Sequence, residues 1–247
     1  MAVRIEGSRA LVTGASRGLG RVFAETLVAR GAAMVYGGAR DPGQITTRGV
    51  TPVRLDITNG DQVAAAAQRC GDVDLLINNA GVMRFVPLLS APDTQAAEEA
   101  MQTNYFGTLA MCRAFAPILG SSGGGALVNI LSVVSWFAMP LNSTYGASKS
   151  AEWALTNAAR VELRHQGTLV TGVFASFIDT EMATAIDVPK VSPQSVVEQT
   201  LHAVEAGEEE VLTDDRARSI KAALADDQSA IYPAQQALWD SQRGAVS

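Results

Sequence analysis

Cysteine, histidine and lysine are scarce in this 247-residue chain, at two, two and three residues. Cys70 and Cys112 lie far apart and match no metal-ligand spacing, so no metal site is expected, and both are read as reduced thiols of a cytoplasmic protein. His165 and His202 fall near the ends of helical stretches, away from the motifs below, and neither is given a catalytic role. Acidic residues outnumber basic ones 25 to 19, a net charge of −6, and a surface of that sign repels phosphate backbones. Nucleic acid is therefore not an expected partner. No apolar run approaches the ~18 residues of a membrane helix, so no membrane partner is expected. Arg4, Glu6 and Arg9 interrupt the stretch in which an export signal needs unbroken apolar residues. Apolar side chains, by contrast, make up 47% of the total, enough for a sizeable core and too many for a disordered chain. At this length the expectation is one domain over 1–247, closing with a helix and polar tail over 216–247.

Short β-rich runs alternate with longer stretches of helical period. Strands are expected at Ala10–Thr13, Ala33–Tyr36, Pro52–Leu55, Asp74–Ile77, Ala126–Leu131, Leu169–Phe174 and Glu210–Thr213. Helices are expected at Leu19–Arg30, Asp61–Arg69, Thr94–Leu119, Tyr145–His165, Ser192–Ala206 and Arg216–Ala225. Most of the strands lack polar/apolar alternation, which fits strands covered on both faces. The pattern predicts an α/β fold, a doubly wound and mostly parallel seven-stranded sheet with helices on both faces. Ligands of such sheets sit beyond the carboxyl ends of the strands, where the strand order reverses, so residues just after strands matter most. Ile231, Tyr232, Leu238 and Trp239 in the tail are of buried type and leave two options: a fold-back onto the chain's own core, or a seat against another subunit.

The first strand runs into Thr13-Gly14-Ala15-Ser16-Arg17-Gly18-Leu19-Gly20, and a helix follows. Glycines allow a tight turn and a close approach of backbone N–H groups, and the helix N-terminus favours pyrophosphate. The spacing Gly-x-x-x-Gly-x-Gly differs from the Gly-x-Gly-x-x-Gly dinucleotide fingerprint, and a plain glycine-rich turn is the competing reading. The strand before and the helix after favour a cofactor loop carried by Gly14, Ser16, Arg17, Gly18, Leu19 and Gly20. The second strand ends near Ala39-Arg40-Asp41. An acidic residue at such a place holds the ribose 2′-hydroxyl of NAD, whereas arginine accommodates the 2′-phosphate of NADP. Arg40, with Arg17 as a second cation, favours NADPH over NADH, because a guanidinium fork donates two parallel hydrogen bonds to phosphate; the adjacent Asp41 leaves the register open.

Tyr145-Gly-Ala-Ser-Lys149 opens a helical stretch, and its spacing puts phenol and ammonium on one face. A phenol titrates near pH ~10, and a neighbouring cation is expected to lower that value, giving a group that exchanges a proton with a carbonyl or alcohol oxygen. With four tyrosines and three lysines, a chance Tyr-x-x-x-Lys is expected about 0.05 times. Ser132, thirteen residues upstream, makes coincidence rarer still. A surface tyrosine beside a solvated lysine is the alternative.

In chain order these residues resemble the short-chain dehydrogenase/reductase family, of the single-domain type, and the resemblance runs to about residue 182. Thr13–Gly20 is similar to the family's cofactor loop, and Asp56-Ile57 to the position that contacts adenine. Asn78-Asn79-Ala80-Gly81 is similar to the motif that closes the fourth strand and lines the cofactor. Asn104 corresponds to the asparagine of the long central helix, Ser132 to the catalytic serine, and Tyr145 with Lys149 to the catalytic pair, while Ile178-Asp179-Thr180 fits the stretch that contacts the carboxamide. The resemblance implies a Rossmann-type sheet and hydride transfer between a nicotinamide and a carbonyl carbon. It implies that Tyr145 protonates the oxygen, Ser132 steadies it, Lys149 holds the nicotinamide ribose and lowers the phenol's proton affinity, and Asn104 positions a relay water. Two stretches depart from the pattern. Ala175-Ser176 stand where the family has Pro-Gly, removing one fixed φ and one permissive position. The C-terminus continues as helix and tail instead of the ending used in tetramer packing, so a homo-oligomer is expected as either dimer or tetramer.

Met83–Leu89, Val133–Asn142 and Phe177–Val191 should surround the reacting carbon. Phe85, Trp136, Phe137, Met139, Leu141, Phe177 and Met182 would make that cleft apolar, suited to a hydrophobic ketone or aldehyde or the corresponding secondary alcohol; the same side chains could instead pack the core. Arg84, the one cation nearby, is read as a solvated surface group, with contact to an acidic substrate group as the alternative. A carbonyl reductase is the leading expectation. The alternative is a catalytically idle NADP-sensing protein on the same fold, which would be expected to lose the Tyr–Lys pair that is present here.

Overall fold

The computed structural model describes residues 3–184 and 187–244; residues 185 and 186 of the expected cleft and residues 245–247 of the tail lie outside the described residues. The strands are β1 (Arg9–Thr13), β2 (Met34–Ala39), β3 (Val50–Arg54), β4 (Leu75–Asn78), β5 (Ala126–Ser132), β6 (Leu169–Ala175) and β7 (Glu210–Leu212). The helices are α1 (Gly18–Ala29), α2 (Gly60–Arg69), α3 (Gln95–Ala100), α4 (Thr108–Ser121), α5 (Ser143–Glu162), α6 (Pro193–Ala206), α7 (Asp215–Ala222), α8 (Asp227–Ala230) and α9 (Tyr232–Gly244). The strands pair in the order β3-β2-β1-β4-β5-β6-β7, every pair parallel.

Successive strand residues point to opposite faces, and here both faces are covered. Ala10 and Val12 of β1 and Val128 and Ile130 of β5 pack with Phe23 and Leu27 of α1 and Val197 and Leu201 of α6. Leu11 and Leu127, from the same strands, pack on the other side with Val63 of α2 and Met111 and Phe115 of α4. That is why the strands read as unbroken apolar runs. The chain builds outward through β2 and β3, then returns to the far side of β1 with β4. In doubly wound sheets the ligand crevice lies at that reversal, here beyond the ends of β1 and β4.

Two stretches differ from expectation. Thr94–Leu119 is not one helix: a π-helical turn over Met101–Gly107 separates α3 from α4 and carries Asn104. A π turn inserts residues that a 3.6-residue period does not register. The tail is helical and folds back on its own chain. Ile231 and Tyr232 pack with Val133, Val134, Phe137 and Met139, and the Tyr232 hydroxyl accepts the Ala138 N–H at 3.3 Å. Cys70 and Cys112 are buried free thiols, pushed by burial up to about 11 and about 12. Among the described residues, no helix is long and apolar enough to cross a membrane, and no group of three or more His, Cys, Asp or Glu could hold a metal.

Candidate active site

The ends of β1 and β4 are clamped together at the reversal. Thr13 Oγ1 accepts the N–H groups of Asn79 and Ala80, each at 3.0 Å, and Asn79 Nδ2 donates to Thr13 O at 2.9 Å and Gly14 O at 3.3 Å. Gly14 has φ +68°, and a Cβ there would lie 3.1 Å from Ala80 Cα; a Cβ on Gly20 would lie 2.3 Å from Gly14 O. The turn closes only because these two positions carry no side chain. Arg17 is the N-cap of α1, and Gly18, Leu19 and Gly20 form its first turn, with no capping side chain and no acidic residue there. Uncapped N–H groups at a helix N-terminus are ready to receive an anion. Cradle and charge together fit the pyrophosphate of a dinucleotide, with half-buried Ser16 and exposed Arg17 at its rim.

Arg40 follows β2 and is exposed. The Asp41 carboxylate accepts the Gly43 N–H at 3.0 Å and the Gln44 amide at 3.3 Å, capping a short 3₁₀ turn. A carboxylate held in a cap is a poor candidate for a ribose ligand. Arg54, opposite Ala39 in the β2–β3 register, reaches the Arg40 carbonyl at 3.2 Å and adds a third guanidinium near this end of the crevice. Asp56 Oδ1 accepts the N–H and O–H of Thr58 at 2.9 and 2.7 Å, and Ile57 is buried beside it.

At the chemical end, Ser132 closes β5 with its Oγ 3.5 Å from Ala175 O. Tyr145 and Lys149 lie one turn apart near the start of α5, and Lys149 Nζ is 5.9 Å from the centre of the Tyr145 ring. Asn104 is fully buried beneath Gly81 and braces the floor. Its Oδ1 accepts the Val82 N–H at 2.8 Å, and its Nδ2 donates to Val82 O and Ser148 Oγ, both at 2.9 Å. Lys149 is buried, with Nζ donating to Ile130 O at 2.7 Å and to Glu152 Oε2 at 2.6 Å. Glu152 belongs to none of the sequence motifs; its one signal in the sequence is the Lys-x-x-Glu spacing on a helix.

The phenol's acidity differs from expectation. Burial pushes the Tyr145 pKa up, Lys149 pulls it down, Glu152 pushes it up and a hydrogen bond to Ser132 pulls it down, leaving it above the ordinary phenol value. The ammonium acts in the expected direction, but burial and the carboxylate outweigh it. Burial pulls Lys149 down, while the charges of Glu152 and Tyr145 more than restore it. Burial pushes Glu152 up to about 7 against the pull of Lys149.

The Ala175-Ser176 segment is held by an anchor from the C-terminal part of the chain. The Ser176 N–H donates to Asp214 Oδ2 at 3.0 Å, while Asp214 Oδ1 accepts the Ala217 N–H at 2.8 Å to cap α7. Burial pushes the Asp214 carboxyl up, but these donors outweigh it and hold it below the ordinary range. Further on, Ile178 bridges to Val191 and Thr180 lies against Gly18, while Glu181 pairs with Arg17 at 3.1 Å. The loop after β6 thus closes over the glycine loop. Among the side chains expected to line the cleft, Phe137 and Met139 are buried under the C-terminal helices, and Trp136 stacks on Phe174 with centroids 4.1 Å apart. They belong to the core. Phe85 and Met182 stay about half exposed, at 46% and 50%, and Phe177 and Leu141 are partly exposed. Arg84 is no lone cation: it makes two hydrogen bonds to Glu99, at 3.0 and 3.2 Å.

The short chain dehydrogenase family profile matches residues 8–190. The 3-oxoacyl-(acyl-carrier-protein) reductase FabG of Vibrio harveyi is 30% identical over 194 residues, covering 75% of this chain and 79% of its own. A short chain dehydrogenase from Burkholderia cenocepacia, solved in complex with NADP, is 43% identical with a TM-score of 0.90, covering 94% of this chain and 99% of its own. A short chain dehydrogenase/reductase from Burkholderia phymatum, solved in complex with NAD, is 26% identical with a TM-score of 0.81, covering 91% and 95%. With its wholly parallel sheet and its glycine cradle at the strand-order reversal, the chain belongs to the short-chain dehydrogenase/reductase family and is a nicotinamide-dependent oxidoreductase.

Proposed function

We propose that this enzyme is an NADPH-dependent carbonyl reductase acting on a hydrophobic ketone or aldehyde, or on the corresponding secondary alcohol, with Tyr145 as general acid/base. One observation carries the reading: a serine hydroxyl at the end of β5 stands beside a phenol and an ammonium one turn apart on α5. When bound, the nicotinamide supplies the hydride. Gly14, Ser16, Arg17, Gly18, Leu19 and Gly20 hold the pyrophosphate, and Arg40, with Arg17, receives the 2′-phosphate. Asp56 and Ile57 flank the adenine, Asn79, Ala80 and Gly81 line the path to the chemical end, and Ile178 and Thr180 hold the carboxamide. Tyr145 and Lys149 hold the nicotinamide ribose.

Tyr145 donates its proton to the carbonyl oxygen as charge develops there. Ser132 donates a second hydrogen bond to the same oxygen, a contribution of about 3 kcal/mol for one well-placed donor. Lys149 offsets part of the burial that weakens the phenol as an acid, and Asn104 positions the water that returns the proton from solvent. The cap that occupies Asp41, and the NADP found with the 43% identical relative, support NADPH over NADH. The half-exposed Phe85 and Met182 support an apolar substrate. Trp153 and Val161, exposed on α5, support a homo-oligomer, and the buried free thiols suit a reducing, cytoplasmic setting for the chain working as one domain.

The test follows NADPH and NADH absorbance with purified protein across aryl ketones, β-keto esters and steroids. Faster oxidation of NADPH with at least one apolar carbonyl is expected. No oxidation of either coenzyme with any carbonyl would move the reading to an idle NADP sensor.

A further inference from the structure

Glu152 lies on α5 one turn beyond Lys149 and is as buried as the core. Lys149 Nζ spends two of its three N–H donors on the protein, one on Glu152 Oε2 and one on Ile130 O. The titratable groups around the Glu152 carboxylate are Lys149 and Tyr145 on its own helix and Cys112 on α4, whose thiol is pushed up to about 12 and stays neutral through the working range. β5 adds the Ile130 carbonyl, which shares the Lys149 ammonium with the carboxylate. A carboxylate against an ammonium in a low-dielectric interior cancels part of the field the ammonium sends to the phenol.

We propose that Glu152 is a positioning residue for the reaction: by pinning Lys149 Nζ against Ile130 O and countering its charge, it sets the acidity of the Tyr145 phenol. This rests on Tyr145 as the acid/base group. Because burial brings the Glu152 carboxyl to about 7, its charge changes near neutrality. Below that point the ammonium acts on the phenol unopposed; above it the phenol holds its proton more tightly, so the two titrations are coupled.

Glu152→Gln keeps the size and an acceptor oxygen but removes the charge. Tyr145 ionisation is read by ultraviolet difference spectra, with the Tyr145→Phe spectrum subtracted. The acidic limb of kcat/KM for alcohol oxidation is measured alongside it. Both are expected to move to lower pH by about one unit in Glu152→Gln. An unmoved titration overturns the proposal, as does a fall in kcat that is uniform across pH, the mark of a merely structural role. If the glutamine variant does not fold, Glu152→Leu carries the same expectation; loss of the fold in both makes the carboxylate a structural requirement and overturns the proposal. A Tyr145→Phe enzyme that still turns over defeats the underlying assignment, whereas a dead Tyr145→Phe with an unshifted Glu152→Gln defeats this proposal alone.

Discussion

Replacing Gly20 with alanine sets two effects of opposite sign against each other. Within a helix, alanine is favoured over glycine by about 1 kcal/mol, and Gly20 sits in α1 with no left-handed φ. Against that gain stands a collision: the added Cβ would lie 2.3 Å from Gly14 O and 2.4 Å from Asn79 Nδ2. Neither atom is the loose end of a side chain. One is backbone, and the other is held by Thr13 O and Gly14 O. Opening the loop loses those hydrogen bonds, at about 1 kcal/mol each, and adds overpacking strain of about 1–3 kcal/mol. The clash wins, by about 2–4 kcal/mol. Gly60→Ala is the control: it starts α2, a Cβ there meets nothing within 4 Å, and it should be neutral or stabilising. Urea unfolding of both variants reads the stability difference, and fluorescence titration with NADPH reads the cradle. Gly20→Ala should lose the stated stability and at least about tenfold in affinity, since one lost contact of ~1.4 kcal/mol is tenfold. A Gly20→Ala protein as stable as Gly60→Ala, with wild-type affinity, rules out the clash.

Arg40→Asp should raise KM for NADPH far more than KM for NADH in steady-state assays; equal changes remove the 2′-phosphate argument. Asp214→Ala strips the cap from α7 and leaves the Ser176 N–H without its acceptor, so it should cost about 2–3 kcal/mol in urea unfolding and raise KM for the carbonyl substrate. An unchanged unfolding midpoint contradicts the anchor. Stability should also carry the signature of Glu152, whose folded carboxyl keeps its proton up to about 7 while the unfolded one releases it near 4.5. The folded state then binds more protons over that window, so this group's contribution falls as pH rises through it. Wild type should lose stability relative to Glu152→Gln between pH ~5 and ~7, and parallel curves contradict this.

The sheet was legible because its strands are short apolar runs buried on both faces, as in β5, where all seven residues are buried. Thr94–Leu119 read as one helix because apolar period cannot register a π turn, and the turn carries Asn104. Ser132 ends β5, Asn79 follows β4, and Tyr145 and Lys149 lie on α5. Glu152 was hidden because Lys-x-x-Glu on a helix ordinarily marks a solvated pair, and only the burial of that face makes it consequential. Arg54 reaches the Arg40 carbonyl through sheet register, which spacing along the chain does not encode. Phe137 and Met139 resembled pocket walls because they follow a strand, yet helices far away in the chain cover them. The spacing of Tyr145 and Lys149 showed a neighbouring cation but not the desolvation that outweighs it.

Of the proposed roles, proton transfer from the Tyr145 hydroxyl to the reacting oxygen is the one on which the others depend. Tyr145→Phe deletes that oxygen alone, and NADPH oxidation with a ketone that the wild type reduces should be measured beside NADPH binding in the same preparation. Intact binding and a loss of turnover of at least about 10²–10⁴-fold are expected, the range of one general acid; a variant that binds NADPH and keeps most of its turnover contradicts the role of Tyr145.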